Sequence, residues 1–399
     1  MLEVKSYVTE VAAEMRILLL IPRLNRKIDS NFFAFEELSN LGNDVLVLTS
    51  RHHRSLKGDW GEPEHETTGK IETYRLFDNY RDMLRNYRKQ WLHILELLVR
   101  FKPEVVFCSE EQNIRLAILI RKHFDIPILT LVEVSMATAP YPVEKVKHLM
   151  NRVMNRHRTV DECLFLPFHK LYWNFLLEQS DVIITCHPQD EHRLPELSTS
   201  RTKVHYVPWC NQLCVYQKKD KIAKRGIYIG SLSKVKNSRE FSITIPRILD
   251  ETPTEEFIMI GPAFDGTERI IKKLITAKGQ KVRWIRQVGR TEALSFLSSA
   301  YWAYTPVDRA GFGAGWGFII DAWGAKTPVL ATHNNFDFHD RKDAMVVSNA
   351  TKISKYIGEL YDNKDLYIQL QNGGYERYKK YHTAEHVARK YLQILKELV

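Results

Sequence analysis

The stretch WLHILELLVRFKPEVVFCSEEQNIRLAILIRKHFDIPILTLVE, Trp91 to Glu133, contains the same local pattern twice. In each copy an amphipathic run with helical spacing ends near a proline, Pro103 or Pro127, and a short apolar run follows. The pattern predicts helices that alternate with buried strands, one from Glu104 to Cys108 and one ending at Glu133. Such alternation is typical of βαβ units around a parallel sheet and favours the α/β class.

The alternation continues on both sides of this stretch. Apolar runs predict further strands at Met15 to Leu24, Asp44 to Ser50, Asp181 to Cys186 and Lys203 to Trp209. A helix that ends at Gly42 is predicted between the first two of these strands. Together these units predict one doubly wound domain.

The pattern restarts after a charged segment without glycine, CVYQKKDKIAKR, which spans Cys214 to Arg225. The run GIYIGSL, Gly226 to Leu232, predicts a strand and a sharp turn, and EFIMIGPAF, KVRWIRQVG, YWAYTPV and TPVLAT predict further strands. We therefore expect two Rossmann-like, doubly wound domains in tandem. A ligand is expected in the cleft between them, where carboxyl ends of strands face each other.

Composition and charge limit the possible classes of protein. A chain of 399 residues is long enough for two domains, and no apolar run approaches the roughly 20 residues that span a bilayer. The five cysteines are widely spread and lack paired spacing, which indicates reduced thiols and neither a zinc site nor a disulfide framework. We expect a cytoplasmic protein, with peripheral attachment to a membrane as an alternative.

The formal net charge of +10 favours a polyanionic partner. Nucleic acid, an anionic membrane surface and phosphorylated substrates all satisfy this condition.

A glycine-rich loop precedes the apolar helix GFIIDAWGAK in the sequence RAGFGAGWGFIIDAWGAKTPV, which begins at Arg309. Glycines at 311, 313, 315 and 317 let a ligand approach the backbone and leave N–H groups available to an anion at the start of the helix. The alternative is a tight loop that requires positive φ. The carboxylate of Asp321 is suited to accept hydrogen bonds from two ribose hydroxyls, and the alternative is a favourable charge near the helix N-terminus.

Two cations are candidates to stabilise a departing diphosphate, which needs its growing negative charge neutralised. Lys236 follows the strand that ends near Gly230, and Arg309 adjoins the glycine loop. The alternatives are a solvated lysine in a turn and a surface arginine. The first strand is followed by IPRLN, which lacks Gly-x-Gly-x-x-Gly, so a dinucleotide oxidoreductase is disfavoured.

Several motifs in the second half resemble the group 1 glycosyltransferases of the GT-B fold. The segment YIGSLSKVKN has Gly230, Leu232 and Lys236 in register with that family, and MIGP matches its next turn at Gly261. The segment VRWIRQVGRTEALSF resembles the part that frames the nucleobase, and Asp321 falls at the family's second glutamate. In the first half, KPEVVFCSEE and DIPILTLVE resemble paired strands, and HTAEHVARKYLQIL resembles the closing helix.

The resemblance implies a GT-B enzyme without a cofactor or metal, mostly retaining, that uses a nucleotide sugar such as a UDP-sugar. It implies an acceptor domain over residues 1–215, closed by a C-terminal helix at about 384–399, and a donor domain over 216–383. The candidate catalytic residues are Lys236, Arg309 and Glu133. The candidate donor-binding residues are Gly230, Ser231, Gly261, Gly289, Arg290, Gly311, Phe312, Gly313 and Asp321.

The sequence also departs from the family at three positions. Ser231 replaces an arginine, Glu133 replaces a histidine, and Ala310, or Ala314 in a shorter alignment, replaces the first glutamate. These departures leave open a catalytically silent protein that only binds sugar nucleotides. Glu133 and the two acids that follow another strand, Glu110 and Glu111, are candidates to orient an acceptor hydroxyl or to act as a base.

The segment KVKHLMNRVMNRHR, Lys145 to Arg158, has five Lys or Arg residues, two histidines and no acid, with apolar residues at helical spacing. A basic amphipathic helix can bind an anionic membrane that carries a lipid-linked saccharide, or a phosphate backbone. The alternative is a core-packed helix with a solvated basic face. The basic charge also leaves open a DNA-modifying glycosyltransferase that acts on a hydroxylated, flipped base.

Overall fold

Two sheets of mostly parallel strands organise the protein in its computed structural model. The structure describes residues 14–22, 24, 32–52, 63–109, 113–132, 175, 178–197, 202–211, 221–233, 236–264, 266–306, 316–332, 338–347 and 349–399. Helices pack on both faces of each sheet, as buried apolar residues of the strands require.

The first sheet has eight strands in the order β3-β4-β2-β1-β5-β6-β7-β8. All neighbours are parallel except β3, which pairs antiparallel with β4. The strands are β1 (Arg16–Leu20), β2 (Asp44–His52), β3 (His65–Thr68), β4 (Ile71–Asn79), β5 (Val105–Ser109), β6 (Ile128–Val132), β7 (Val182–Thr185) and β8 (Lys203–Tyr206).

The hairpin of β3 and β4 was not predicted from the sequence. Residues of β4 alternate between buried and half-buried along IETYRLF, a strand signal that the prediction missed. The strand β3 is polar and mostly exposed, so its sequence HETT carries no hydrophobic signal.

The second sheet has six parallel strands in the order β11-β10-β9-β12-β13-β14. They are β9 (Ile222–Ile229), β10 (Glu256–Ile260), β11 (Val282–Ile285), β12 (Ala300–Thr305), β13 (Val329–Ala331) and β14 (Met345–Val346). The predicted linker, which ends at Arg225, is therefore too long at its C-terminal end, because β9 already begins at Ile222. Charged residues are accommodated there because Lys224 and Arg225 pair with Glu255 and Glu256 at the start of β10.

Helices connect these strands and cover their faces. The first group is α1 (Phe33–Asn40), α2 (Tyr80–Arg85), α3 (Trp91–Phe101), α4 (Ile114–Phe124) and α5 (Pro188–Leu197). The second group is α6 (Phe241–Glu251), α7 (Thr267–Lys278), α8 (Arg290–Ser299), α9 (Trp316–Gly324), α10 (Ile353–Asp362), α11 (Lys364–Tyr381) and α12 (Ala384–Leu398).

The C-terminal helix α12 returns to the first sheet. Its Tyr391 ring lies 5.2 Å from Phe107 of β5 and 5.8 Å from Phe35 of α1, measured between ring centroids. The preceding helix, α11, instead packs with the second core through Leu366, Leu370 and other residues. The predicted boundary at 215/216 falls within residues 212–220, outside the described residues, and it stays a prediction.

The turn between α11 and α12 lies against the chain segment that follows β8. The backbone N–H of Asn211 donates to the carbonyl of His382 at 3.1 Å, and Nδ1 of His382 lies 2.7 Å from the carbonyl oxygen of Trp209. The side chain of His382 is buried, and burial lowers its pKa to about 4. The two places where the chain passes between the cores are therefore hydrogen-bonded to each other.

We expect Gly374→Ala to destabilise the protein. An added Cβ would lie 2.3 Å from Cδ1 of Trp323, which is 1% exposed, so overpacking by about 1–3 kcal/mol outweighs a helix-propensity gain of about 1 kcal/mol. The matched variant Gly358→Ala, in α10, meets no atom of the described chain within 4 Å and should stabilise by about 0.5–1 kcal/mol. Urea unfolding of both variants checks this, and equal stabilisation of the two would contradict the packing argument.

We expect the buried His382 to lower the free energy of unfolding as the pH falls. Because the folded pKa of about 4 lies below the ordinary 6.5, the unfolded chain binds the proton first. The contribution of His382 to the free energy of unfolding is fully present above pH 6.5. It declines by about 3 kcal/mol in total as the pH falls to 4. Unfolding free energies of His382→Gln measured from pH 7 to 4.5 should show a shallower slope than wild type. The exposed His192→Gln serves as the control and should keep the wild-type slope.

Candidate functional site

Each sheet has a switch point, where connections leave in opposite directions from two neighbouring strands. In the second sheet the switch point lies between β9 and β12, and in the first sheet between β1 and β5. Ligands of open α/β sheets bind in the crevice that forms at the carboxyl ends of such strand pairs. Most of the described candidate residues follow β9 or belong to helices beside β12.

Gly230 and Gly261 end β9 and β10 and lie against each other. Their φ angles are +150° and +137°, and a Cβ on Gly261 would lie 2.1 Å from the carbonyl oxygen of Gly230. The N–H of Gly230 donates to the carbonyl of Ile260 at 2.9 Å, which continues the ladder past the strands. The packing of two strand ends thus accounts for Gly261, while positive φ and the Tyr228 hydroxyl, 2.9 Å from where a Cβ would stand, account for Gly230.

Hydrogen bonds hold the backbone of Lys236 beside Ser233, shortly after the end of β9. Oγ of Ser233 accepts from the N–H of Lys236 at 3.3 Å, and Oγ of Ser238 accepts from the N–H of Ser233 at 2.9 Å. Burial of the ammonium group lowers the pKa of Lys236. Ser231, at the predicted arginine position, uses its carbonyl to accept the buried Tyr228 hydroxyl at 3.1 Å.

Residues at the carboxyl ends of β10 and β11 contact each other. The indole N–H of Trp284 donates to the carbonyl of Gly261 at 2.9 Å, and the Arg286 guanidinium lies 4.8 Å from the Trp284 ring centroid. Gly289 precedes α8 with φ of −63°, and no atom lies within 4 Å of where its Cβ would stand. Neither backbone conformation nor packing in the described part of the chain requires glycine there.

Arg290 of α8 and Asp321 of α9 form a buried ion pair. One guanidinium nitrogen, Nη2, lies 2.8 Å from Oδ1 of Asp321, and Nη1 lies 3.3 Å from Oδ2. Only 15% and 10% of the two side chains are exposed. Burial raises the pKa of Asp321 to about 6, against the opposing effect of Arg290. The carboxylate proposed to receive ribose hydroxyls is therefore already hydrogen-bonded by side chains of this protein.

Two residues from the first half join the same pair. Nδ2 of Asn211 donates to Oδ1 of Asp321 at 2.8 Å and to the carbonyl of Gly317 at 2.9 Å. The guanidinium carbon of Arg290 lies 5.4 Å from the ring centroid of Phe33 in α1, a cation–π distance. The carbonyl of Asn211 accepts from the Tyr378 hydroxyl at 3.1 Å. The pair thus lies where the two halves meet, and its Asn211 partner was not predicted.

Asn113 occupies the switch point of the first sheet. Its Nδ2 lies 3.0 Å from the carbonyl of Ser109 and 3.3 Å from that of Leu20, so it joins the ends of β5 and β1. The side chain is buried, and no group in the described part of the chain donates to its Oδ1. Sequence reasoning missed this residue because an asparagine before a helix is an ordinary capping residue.

The remaining candidates fall outside the described residues. They are Glu133, Arg309, Gly311, Phe312 and Gly313, together with Glu110, Glu111, Ala310, Ala314, Gly315 and the basic segment Lys145 to Arg158. Among the residues that are described, no group of three His, Cys, Asp or Glu side chains is arranged to hold a metal ion. Within the same part of the chain, no helix is both long and apolar enough to cross a bilayer.

Comparison with known proteins finds similarity in structure alone. No protein-family model matches the sequence, and no curated protein matches it either. Among solved structures, a sucrose-phosphate synthase from Thermosynechococcus elongatus aligns with a TM-score of 0.72 at 15% identity, over 96% of this chain and 99% of that one. A UDP-forming α,α-trehalose-phosphate synthase from Burkholderia xenovorans aligns with a TM-score of 0.64 at 11% identity, over 96% and 99%.

A third similar structure is an α-glucosyltransferase in complex with UDP-glucose and DNA containing an abasic site. It aligns with a TM-score of 0.59 at 12% identity, over 96% of this chain and all of that one. Because the alignments cover both sheets and nearly all of each chain, they confirm the predicted architecture. The chain has the GT-B fold, with two Rossmann-like, doubly wound domains.

Proposed function

We propose that the protein is a glycosyltransferase that moves a sugar from a nucleotide donor to an acceptor hydroxyl. The observation that carries this proposal is Lys236, a partly desolvated cation that follows β9 at the switch point of the second sheet. The fold supports the same conclusion, since structurally similar proteins include enzymes solved with UDP and glucose or with UDP-glucose. The donor domain would comprise residues 216–383, and the acceptor domain residues 1–215 with α12.

The chemistry requires neutralisation of the charge that grows on a departing nucleoside diphosphate. A cation whose ammonium group is shielded from water interacts more strongly with that charge than a solvated one. Lys236 supplies this cation, and Arg309 is proposed as the second. The helix α9 would add backbone N–H groups at its N-terminus, and Gly311 and Gly313 of the preceding loop are proposed to add theirs. No metal or cofactor is needed in this scheme, and a retaining outcome is proposed with it.

Gly289 supports the position of the donor. The residue has an ordinary φ, and no atom of the described residues lies within 4 Å of where its Cβ would stand, so a ligand that needs close approach to the backbone is a reason for glycine here. We place the nucleotide between this turn and the end of β9. Gly230, Ser231 and Gly261 would then contact it through their backbone, because strand packing already fixes their conformation.

Asp321 is proposed to act in the donor site mainly by positioning Arg290. A direct bond from Asp321 to ribose hydroxyls would require the carboxylate to share oxygens that Arg290 and Asn211 now occupy. Glu133 is proposed as the acceptor-side acid, in line with its position after β6 in the sequence.

A DNA acceptor is the second candidate function. The fold neighbour that was solved with DNA aligns over its full length, and this chain has a net charge of +10. In that case the acceptor is a hydroxylated base that is flipped out of the duplex before sugar transfer.

A thermal-shift experiment with UDP, other nucleoside diphosphates and their sugars tests the donor site. A ligand at a hundred times its Kd stabilises the folded state by about 2.7 kcal/mol. Lys236→Ala should weaken binding by about 10–100-fold, the usual effect of losing one charge-assisted hydrogen bond. Arg239→Ala, an exposed cation three residues away, is the matched control and should bind as wild type.

The outcomes separate the three alternatives. If no nucleotide raises the transition temperature, the donor site is wrong. Nucleotide binding without hydrolysis or transfer to any acceptor indicates the silent binding protein. Transfer to a duplex that contains a hydroxymethylated base indicates the DNA acceptor.

A double-mutant cycle tests the buried pair. Arg290→Met and Asp321→Leu should each destabilise by about 3–5 kcal/mol in urea unfolding, because each leaves one buried charge unpaired. The double variant should recover most of this loss. A direct ribose contact predicts in addition that wild type binds UDP more tightly than its 2′,3′-dideoxy analogue, and that Asp321→Asn loses this preference. An unchanged preference leaves Asp321 as a positioning residue only.

A further inference from the structure

The segment from Tyr80 to Gln90 carries cations that no carboxylate neutralises among the described residues. It directly follows β4 and consists of α2 and a short 3₁₀ turn, Tyr87–Gln90. Arg85, Arg88 and Lys89 are exposed, and none forms an ion pair with a described residue. The one acid of the segment, Asp82, accepts at 2.8 Å from Asn79 and at 2.8 Å from Asn86. Three positive charges are thus available to solvent.

This segment lies at the edge of the first sheet where a ligand is expected. The strand β4 is parallel to β2, and β2 is parallel to β1, so residues after β4 lie at the same edge as the carboxyl ends of the other parallel strands. The apolar side of the segment faces inward, since Met83 is 1% exposed and Tyr87 packs against the core. The exposed side is therefore positively charged.

A second group of cations lies at the opposite end of the same edge. Nζ of Lys390 lies 5.9 Å from the ring centroid of Tyr206, the last residue of β8, and Nζ of Lys380 lies 4.8 Å from that of Tyr381. Neither lysine forms an ion pair with a described residue. Two neighbouring acids are engaged elsewhere, since Glu385 pairs with Arg389 and Glu376 with Lys379.

The spacing of the two groups indicates the size of their partner. Six strand intervals separate β4 from β8 in the sheet order, which at ~4.8 Å each gives about 29 Å. Phosphates along one nucleic-acid strand rise by ~3.4 Å, so this distance corresponds to about nine base pairs. One phosphate of a small sugar phosphate cannot reach both groups, whereas an extended polyanion can.

We propose that the carboxyl edge of the first sheet binds the phosphate backbone of double-stranded DNA through Arg85, Arg88 and Lys89 at one end and Lys380 and Lys390 at the other. Exposed cations that line a surface contact backbone phosphates without reading base sequence. A membrane surface fits less well, because a bound interfacial segment inserts apolar side chains, whereas Met83 and Tyr87 of this segment already pack against the core. The inference rests on the proposed function only in treating the DNA as the acceptor.

Salt dependence of binding to a fluorescent 24-base-pair duplex of mixed sequence tests the proposal. Each phosphate contact contributes about 0.9 to the slope of log K against log salt. The variant R85Q/R88Q/K89Q should lower the slope by about 2.7 and K380Q/K390Q by about 1.8. The control K122Q/K273Q/K281Q removes three other exposed charges, outside both groups, and should leave the slope close to wild type. Equal slope changes in the control and test variants would mean non-specific attraction and would overturn the proposal.

Duplex length gives an independent check of the geometry. A hairpin with a 6-base-pair stem spans about 20 Å and reaches one group only, whereas a 14-base-pair stem spans both. K380Q/K390Q should therefore lower the slope for the long stem and leave the short stem unchanged. A lowering of the same size for both stems contradicts binding along the edge.

Two further measurements distinguish DNA binding at this edge from membrane binding and from the donor site. Sedimentation with phosphatidylserine vesicles should be equal for wild type and R85Q/R88Q/K89Q, and a loss confined to vesicle binding would assign the surface to a membrane. The thermal shift with UDP should also be equal in the two proteins. If DNA binding fails while the UDP shift persists, this surface is wrong and the donor site stands. If DNA binds but no nucleotide does, the proposed function fails and the surface stands.

Discussion

The buried carboxylate of Asp321 is the point on which the two halves of the protein converge. It accepts from Arg290, which follows β11, and from Asn211, which follows β8, so three distant parts of the chain meet at one side chain. A buried charge is costly unless it is paired and hydrogen-bonded. In the folded chain these segments must therefore stay close enough to hydrogen-bond Asp321. This requirement fixes the position of Asn211, at the end of the first half, against α9.

The sequence was sufficient to predict the fold because the strands are buried on both faces. Runs such as ILLL in β1 and VVFC in β5 are apolar without interruption, and prolines mark where helices end. The prediction missed β3, a polar edge strand that contributes little burial, and it also missed β4, although the alternating burial of β4 is a strand signal. It also extended the linker into β9, because charged side chains that pair across strand ends look like a solvated segment.

The candidate site was less predictable than the fold. Lys236 could be placed after β9 because its position depends on local sequence alone. The pairing of Asp321 with Arg290 and Asn211 could not be predicted, since the partners are 31 and 110 residues away and meet only through tertiary packing. Gly230 and Gly261 are predicted ligand contacts, and the structure adds a reason for each glycine in local packing: the Tyr228 hydroxyl at Gly230 and the end of β9 at Gly261. The similar structures share 15% identity or less with this chain, so the likeness extends to the fold and does not identify the site residues.

The hydrogen bond between Asn211 and His382 has a mechanical consequence. The chain passes from one core to the other near residue 211 and returns near residue 382, and both passages lie side by side. Two adjacent connections resist separation but permit rotation about the line that joins them. Any opening of the cleft would then be a rotation with its axis near β8, and strands move in proportion to their distance from that axis. The hairpin of β3 and β4, six to seven strands away, would therefore travel farthest.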